Sequence, residues 1–107
     1  MHATLAILSE PNRFRIVELL KDGPRAVNEI GMKLELGQPQ VSKHLRVLKD
    51  AGIVDVQAKA QRRVYALRPE PLKDLNAWIE RFRDLWEAHY ERLDDYLEKM
   101  KKERKRK

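Results

Sequence analysis

The side chains with the clearest chemistry lie close together: Gln38, Gln40, Ser42, Lys43, Arg46 and Lys49, with His44 among them. Amides and a hydroxyl can exchange hydrogen bonds with base edges, while the cations can meet phosphates or guanine acceptors. Their spacing leaves Val41, Leu45 and Leu48 to form the apolar face of one helix from about Gln38 to Asp50. Asp50 is the one acid on that helix and falls at its far end. His44 has two readings, a phosphate contact or a half-buried place beside Val41 and Leu48. A second basic group, Lys59-Ala60-Gln61-Arg62-Arg63, stands between two runs rich in β-branched residues and reads as a hairpin tip. Lys59, Arg62 and Arg63 are candidates for contact with a nucleic-acid backbone or minor groove. Tyr65 reads as a packing residue of the returning strand.

The elements that must position these groups are short. An apolar segment from Ala3 to Leu8 opens the chain as a helix, and Pro11 begins a second helix that runs to about Lys21. Asp22-Gly23-Pro24 stops it. Val27, Ile30 and Leu34 mark a third helix over about Ala26 to Leu36, which Gly37 breaks before the polar helix begins. Ala51-Gly52 ends that fourth helix, and Ile53 to Lys59 with Arg62 to Leu67 form the hairpin. Two helices around a tight turn, followed at once by a basic hairpin, make a winged helix–turn–helix. The fold expected is mainly α with a β-hairpin wing: four helices, the hairpin, then one long fifth helix from Leu72 to about Met100.

That last helix carries an apolar seam. Leu72, Ile79, Trp86, Leu93 and Met100 stand seven apart, and Leu75, Phe82, His89 and Tyr96 fill the intervening register. A chain of 107 residues makes one small domain and cannot cover such a stripe by itself, so the seam predicts a second copy of the chain. The same leucines and aromatics could house a small-molecule ligand. The expected division is residues 1–68 as the DNA-binding part, 69–100 as the dimerisation helix and 101–107 as a basic tail.

Charge and composition narrow the function classes. The net charge is +6, yet residues 99–107 hold seven basic side chains against one acidic, so residues 1–98 are neutral in sum. Within that body, residues 38–68 carry seven basic and two acidic side chains, and residues 69–98 carry four basic and nine acidic. Segregated positive charge steers a polyanion; an evenly mixed surface only keeps a protein dispersed. With no cysteine, disulfides and thiolate metal sites are excluded. A metal held on a helix needs ligands three or four residues apart. Around His89 those positions are Leu85, Trp86, Arg92 and Leu93, and around His44 they are Gln40, Val41, Val47 and Leu48. No metal and no cofactor is expected. Neither a phosphate-binding glycine loop nor a nucleophile–base pattern appears, so an enzyme is not expected. The absence of a signal peptide and of a long apolar run predicts a cytoplasmic protein that binds no membrane.

The stretch from Gln38 to Val54 (QPQVSKHLRVLKDAGIV) resembles the recognition helix and first wing strand of the ArsR family of winged-helix transcriptional regulators. Glu10 to Ile16 is similar to the opening of that family's second helix, and Arg62 to Leu67 to its returning wing strand. The resemblance covers about Ala3 to Leu97. It implies a homodimeric repressor on a pseudo-palindromic operator of double-stranded DNA, with an effector, here unidentified, that changes DNA affinity. It also implies that the first and last helices dimerise, which adds Leu5 and Leu8 to the seam. Three positions depart from the family pattern. Glu35 and Gly37 stand where Gly and then Ser are usual, Gln61 stands at the usual wing glycine, and Asn28-Glu29-Ile30-Gly31-Met32 replaces the cysteine pair of the third helix. Two other readings remain: a winged-helix protein-interaction module, which would carry neutral or acidic residues on the reading helix and wing, and a non-specific architectural DNA-binding protein.

Overall fold

The computed structural model describes residues 1–106, with side chains through Arg104. Its contacts divide the chain into two compact units, Met1–Asp74 and Leu75–Lys107.

In the first unit, α1 (His2–Leu8) leads to α2 (Pro11–Leu20). Pro11 occupies the first turn of α2, where its missing N–H costs nothing, and the Glu10 carboxylate accepts the Arg13 N–H at 2.9 Å. β1 (Arg25–Ala26) then precedes α3 (Val27–Leu34), followed by α4 (Gln38–Asp50). Between α3 and α4, Glu35 is left-handed (φ 56, ψ 45), and the Leu36 N–H bonds back to the Gly31 carbonyl at 3.0 Å. A Cβ at Gly31 would meet the Leu36 carbonyl oxygen at 3.0 Å, so any side chain there would require this turn to give by a few tenths of an ångström. The Arg15 guanidinium donates to the Leu34 carbonyl at 3.0 Å, satisfying one of the acceptors that the end of α3 leaves open.

β2 (Val54–Lys59) and β3 (Arg62–Leu67) form the hairpin, and β1 pairs with the other side of β3 to give an antiparallel sheet in the order β1-β3-β2. The register puts Lys59 opposite Arg62, leaving Ala60-Gln61 as a two-residue turn with Ala60 at φ 57. The two-residue β1 was not expected. It is too short to show the alternation by which strands are read.

Ile16, Ile30, Val41, Leu45, Leu48, Ile53 and Val54 have no exposed surface, and Leu20 and Tyr65 complete the core around them. Burying each such aliphatic side chain contributes about 1.5–3 kcal/mol, an upper figure because unfolded chains already hide some area. Val41, Leu45 and Leu48 are the inner face of α4, so the core fixes which side of that helix faces outward.

The expected single helix from Leu72 to Met100 is two helices, α5 (Pro69–Glu80) and α6 (Arg83–Arg106). Between them the backbone tightens: Arg81 N–H bonds to the Trp78 carbonyl, Phe82 to Ile79 and Leu85 to Phe82, each three residues back. Trp78 and Phe82 meet edge-to-face at 5.1 Å, and Arg83 bonds back to Glu80 at 3.2 Å. Heptad spacing reports which residues share a stripe, but a short shift in hydrogen bonding leaves that spacing untouched. The basic run does not begin a separate segment either. α6 continues through Arg106, while Lys107 and the side chains of residues 105 and 106 lie outside the described residues. From Asn76 to Arg104 every residue is exposed.

Candidate nucleic-acid interface

Outward from the core face of α4, about 100° per residue places Pro39, Lys43, Arg46 and Asp50 directly opposite Val41, Leu45 and Leu48. Gln38, Ser42 and Lys49 lie on one flank, and Gln40, His44 and Val47 on the other. All of these except His44 and Val47 are exposed. The first flank faces the hairpin across a cleft of about 600 Å³ lined by Gln38, Ser42, Arg46, Lys49, Asp50, Arg63, Tyr65 and Val27. A second hollow of about 390 Å³ continues toward the hairpin tip past Gln38, Asn28, Gln61, Arg62 and Arg63. Reading helix and wing therefore share one polar concavity.

The N-terminus of α4 adds a further feature. Gly37 caps it without a side-chain bond, and Pro39 supplies no N–H, so the amides of Gln38 and Gln40 point outward without intrahelical partners. Such an end attracts anions.

Among the described residues, Lys43, Arg46, Lys49, Lys59 and Arg63 join none of the ion pairs. Arg68, by contrast, is held near Asp55 and Glu70, each at 3.7 Å.

Two of the expected contact residues are engaged elsewhere. His44 is half-buried, and its Nδ1 lies 3.6 Å from the Glu10 carboxylate at the start of α2. Bonding to the Arg13 N–H holds Glu10 below the usual carboxylate range, and the neighbouring His44 and Arg13 charges act in the same direction. Arg62 is turned to α3: its Nη2 donates to Glu29 Oε1 at 3.0 Å and to Asn28 Oδ1 at 3.4 Å. Strand alternation explains the split, since Arg62 and Arg63 leave β3 on opposite faces. Sequence reasoning missed Glu29, Asn28 and Arg15 as positioning groups. The available signal was Glu29 three residues after Ala26, the cap of α3, where an acid accepts the Ala26 N–H, here at 3.4 Å.

The apolar candidates lie on open surface in different degrees. Leu5 is exposed and Leu8 half-buried on α1, and Leu72 and Leu75 are half-buried on α5. Ile79, Phe82, Trp86, His89, Leu93 and Tyr96 are all exposed. Among the described residues no group of three or more His, Cys, Asp or Glu side chains could hold a metal ion, and no helix is long and apolar enough to cross a membrane.

Comparison with known proteins agrees with this architecture. Residues 10–56, from the cap of α2 into β2, match the bacterial regulatory proteins of the arsR family. Over 75 residues the chain is 43% identical to the HTH-type transcriptional regulator Rv2034 of Mycobacterium tuberculosis, covering 70% of each protein. Over 82 residues it is 30% identical to the transcriptional repressor SdpR of Bacillus subtilis, covering 77% of this chain and 91% of that one. Among solved structures, the homodimeric winged helix–turn–helix DNA-binding domain Mb0332 of Mycobacterium bovis superposes with a TM-score of 0.64 at 26% identity. That match covers 78% of this chain and 77% of the other. With a sheet-backed wing, a polar reading helix and relatives of this kind, the chain belongs to the ArsR family of winged-helix transcriptional regulators.

Proposed function

We propose that the chain is a sequence-reading DNA-binding regulator that acts as a homodimer, most naturally as a repressor. The observation that carries this reading is the outward side of α4. The Gln38 amide, the Ser42 hydroxyl and the cations Arg46 and Lys49 line one cleft there with Arg63 across it. Cations alone would hold any duplex by its phosphates, whereas Gln38, Gln40 and Ser42 add groups that distinguish base edges. This favours sequence reading over an architectural role. A protein-interaction module would have little use for so many unpaired cations beside a helix N-terminus. No enzymatic role is proposed.

The homodimer rests on exposed apolar side chains that one small chain leaves uncovered, Leu5 on α1 and the Ile79, Phe82, Trp86 and Leu93 series that runs from α5 across the junction into α6. Pairing two chains would place two copies of α4 about 34–36 Å apart, one turn of DNA. Selection of bound duplexes from a random pool, followed by footprinting, tests symmetry, half-site spacing and preference together. Two protected half-sites one turn apart are expected, and protection without sequence preference would leave only an architectural role. Such a partner places its work in the cytoplasm. With no cysteine and no ligand cluster among the described residues, its effector is proposed to be other than a thiophilic metal. Stoichiometric zinc, cadmium or arsenite should leave DNA affinity unchanged in an anisotropy titration.

A further inference from the structure

We infer that Glu29 is a positioning residue for the wing, acting through Arg62, and that Arg62 is a strut and not a phosphate contact. The inference rests on the DNA-binding reading above and assigns a task within it. β1 pairs with β3 only at Arg25 with Tyr65 and Ala26 with Val64. Beyond Val64 toward the tip, the wing is a bare two-stranded ribbon. Such ribbons are marginal in water without another element against them. The Arg62–Glu29 bond at 3.0 Å is a side-chain tie just past the last backbone pair. Asn28 adds a second acceptor at 3.4 Å.

Glu29 is itself held in place. One oxygen also accepts the Ala26 N–H at 3.4 Å, and the other lies 4.0 Å from Arg25 Nη1. Three segments therefore converge on one carboxylate: the β1 backbone, the first turn of α3 and the wing. Aiming the wing relative to α4 is what sets the cleft between Arg63 and the reading side chains. The electrostatics point the same way. Arg62 is ion-paired with Glu29, whereas Lys59 and Arg63 beside it join none of the ion pairs among the described residues.

The test compares Glu29→Gln, Arg62→Gln and the double variant with the wild-type chain. The glutamine at 29 keeps an oxygen for the Ala26 N–H, so α3 retains its start while the charge pairing is lost. The DNA probe is a duplex of about 30 base pairs selected from a random pool, long enough for half-sites one turn apart. A strut predicts that both single variants bind this duplex about two- to fivefold more weakly, the worth of an exposed charge pair, and that the double variant is no weaker than either. It also predicts an unchanged slope of log affinity against log salt. If Arg62 neutralises a phosphate, Arg62→Gln lowers that slope by about 0.9 per subunit. Glu29→Gln, by releasing the guanidinium, then tightens binding, and this pair of results overturns the inference. Amide hydrogen exchange on the free proteins supplies a readout without DNA. Faster exchange confined to residues 59–63 in Glu29→Gln supports the strut, and unchanged or uniformly raised exchange refutes it. A wild-type chain that binds no duplex would instead remove the DNA-binding reading, with the exchange result still deciding the role of Glu29.

Discussion

The two compact units of the chain put their apolar residues to different use. Met1–Asp74 packs a core in which Ile16, Ile30, Leu45 and Leu48 expose nothing, with Leu5 and Met32 left outside it. In Leu75–Lys107, Trp86 is 38% exposed, Leu93 47% and Leu85 70%. Hydrophobic content does not separate them; the presence of a second layer does. A helix with an apolar stripe must set that stripe against another surface, and the first unit supplies its own in α2, α3, α4 and the sheet. For the second unit, the proposed surface is another copy of the chain. Substitutions at the buried positions of the first unit should therefore be felt as folding stability, and substitutions along the exposed seam of the second as association.

The largest effects test this contrast directly. Leu45→Ala removes a fully buried side chain from the inner face of α4 and should cost about 2–5 kcal/mol of folding stability, read from urea unfolding. Trp86→Ala should leave the circular dichroism of the chain nearly unchanged. It should weaken dimerisation by about 2–4 kcal/mol, read by sedimentation over a range of concentrations, as expected when an aromatic anchor is truncated. The contrast fails if Trp86→Ala unfolds the protein while it remains dimeric, or if Leu45→Ala changes association and not folding.

The inner side of the molecule was far more legible in the sequence than the ties between its elements. Val41, Leu45 and Leu48 repeat at helical spacing because burial imposes that period, so the reading face of α4 followed by subtraction. Gly52 after α4 and Pro11 at the start of α2 marked their boundaries for local backbone reasons. The Arg62–Glu29 tie joins residues 33 apart, and no local pattern encodes such a contact. The break between α5 and α6 escaped for another reason. Neither proline nor glycine marks it, and the seam residues keep their sevenfold spacing through it.

A smaller pair of effects separates two kinds of contact within the reading surface. Gln40→Ala and Lys43→Ala should each cost about 1–3 kcal/mol on the selected duplex. The lysine variant should also lower the salt slope by about 0.9 per subunit if Lys43 meets a phosphate, while the glutamine variant leaves it alone. Loss of sequence preference should accompany Gln40→Ala, since an amide reads a base edge and a phosphate contact carries no sequence information. Equal losses on selected and random duplexes for Gln40→Ala would place that side chain on the backbone.

The smallest expected effects lie in the turn between α3 and α4, where two residues depart from the family pattern. Glu35 is left-handed at φ 56, a conformation disfavoured by its Cβ, and its side chain is exposed. Glu35→Gly should therefore stabilise the first unit by about 0.5–1 kcal/mol, because relief of strain outweighs the greater freedom that glycine gives the unfolded chain. Gly37, two residues later, lies at φ −66 and ψ 149, which any residue can adopt. A Cβ there would meet only the Pro39 ring at 3.8 Å, an ordinary contact. Gly37→Ser adds an oxygen able to accept an open N–H of α4 and should contribute a few tenths of a kcal/mol. The two sites are near neighbours, so the double variant tests their additivity as well. Its melting temperature should rise by a few degrees for a unit of this size. Because neither residue belongs to the apolar seam, the dimer dissociation constant should stay where it was. A shift in association with no gain in stability would show that the first unit is not energetically self-contained, and would break the division on which the larger predictions depend.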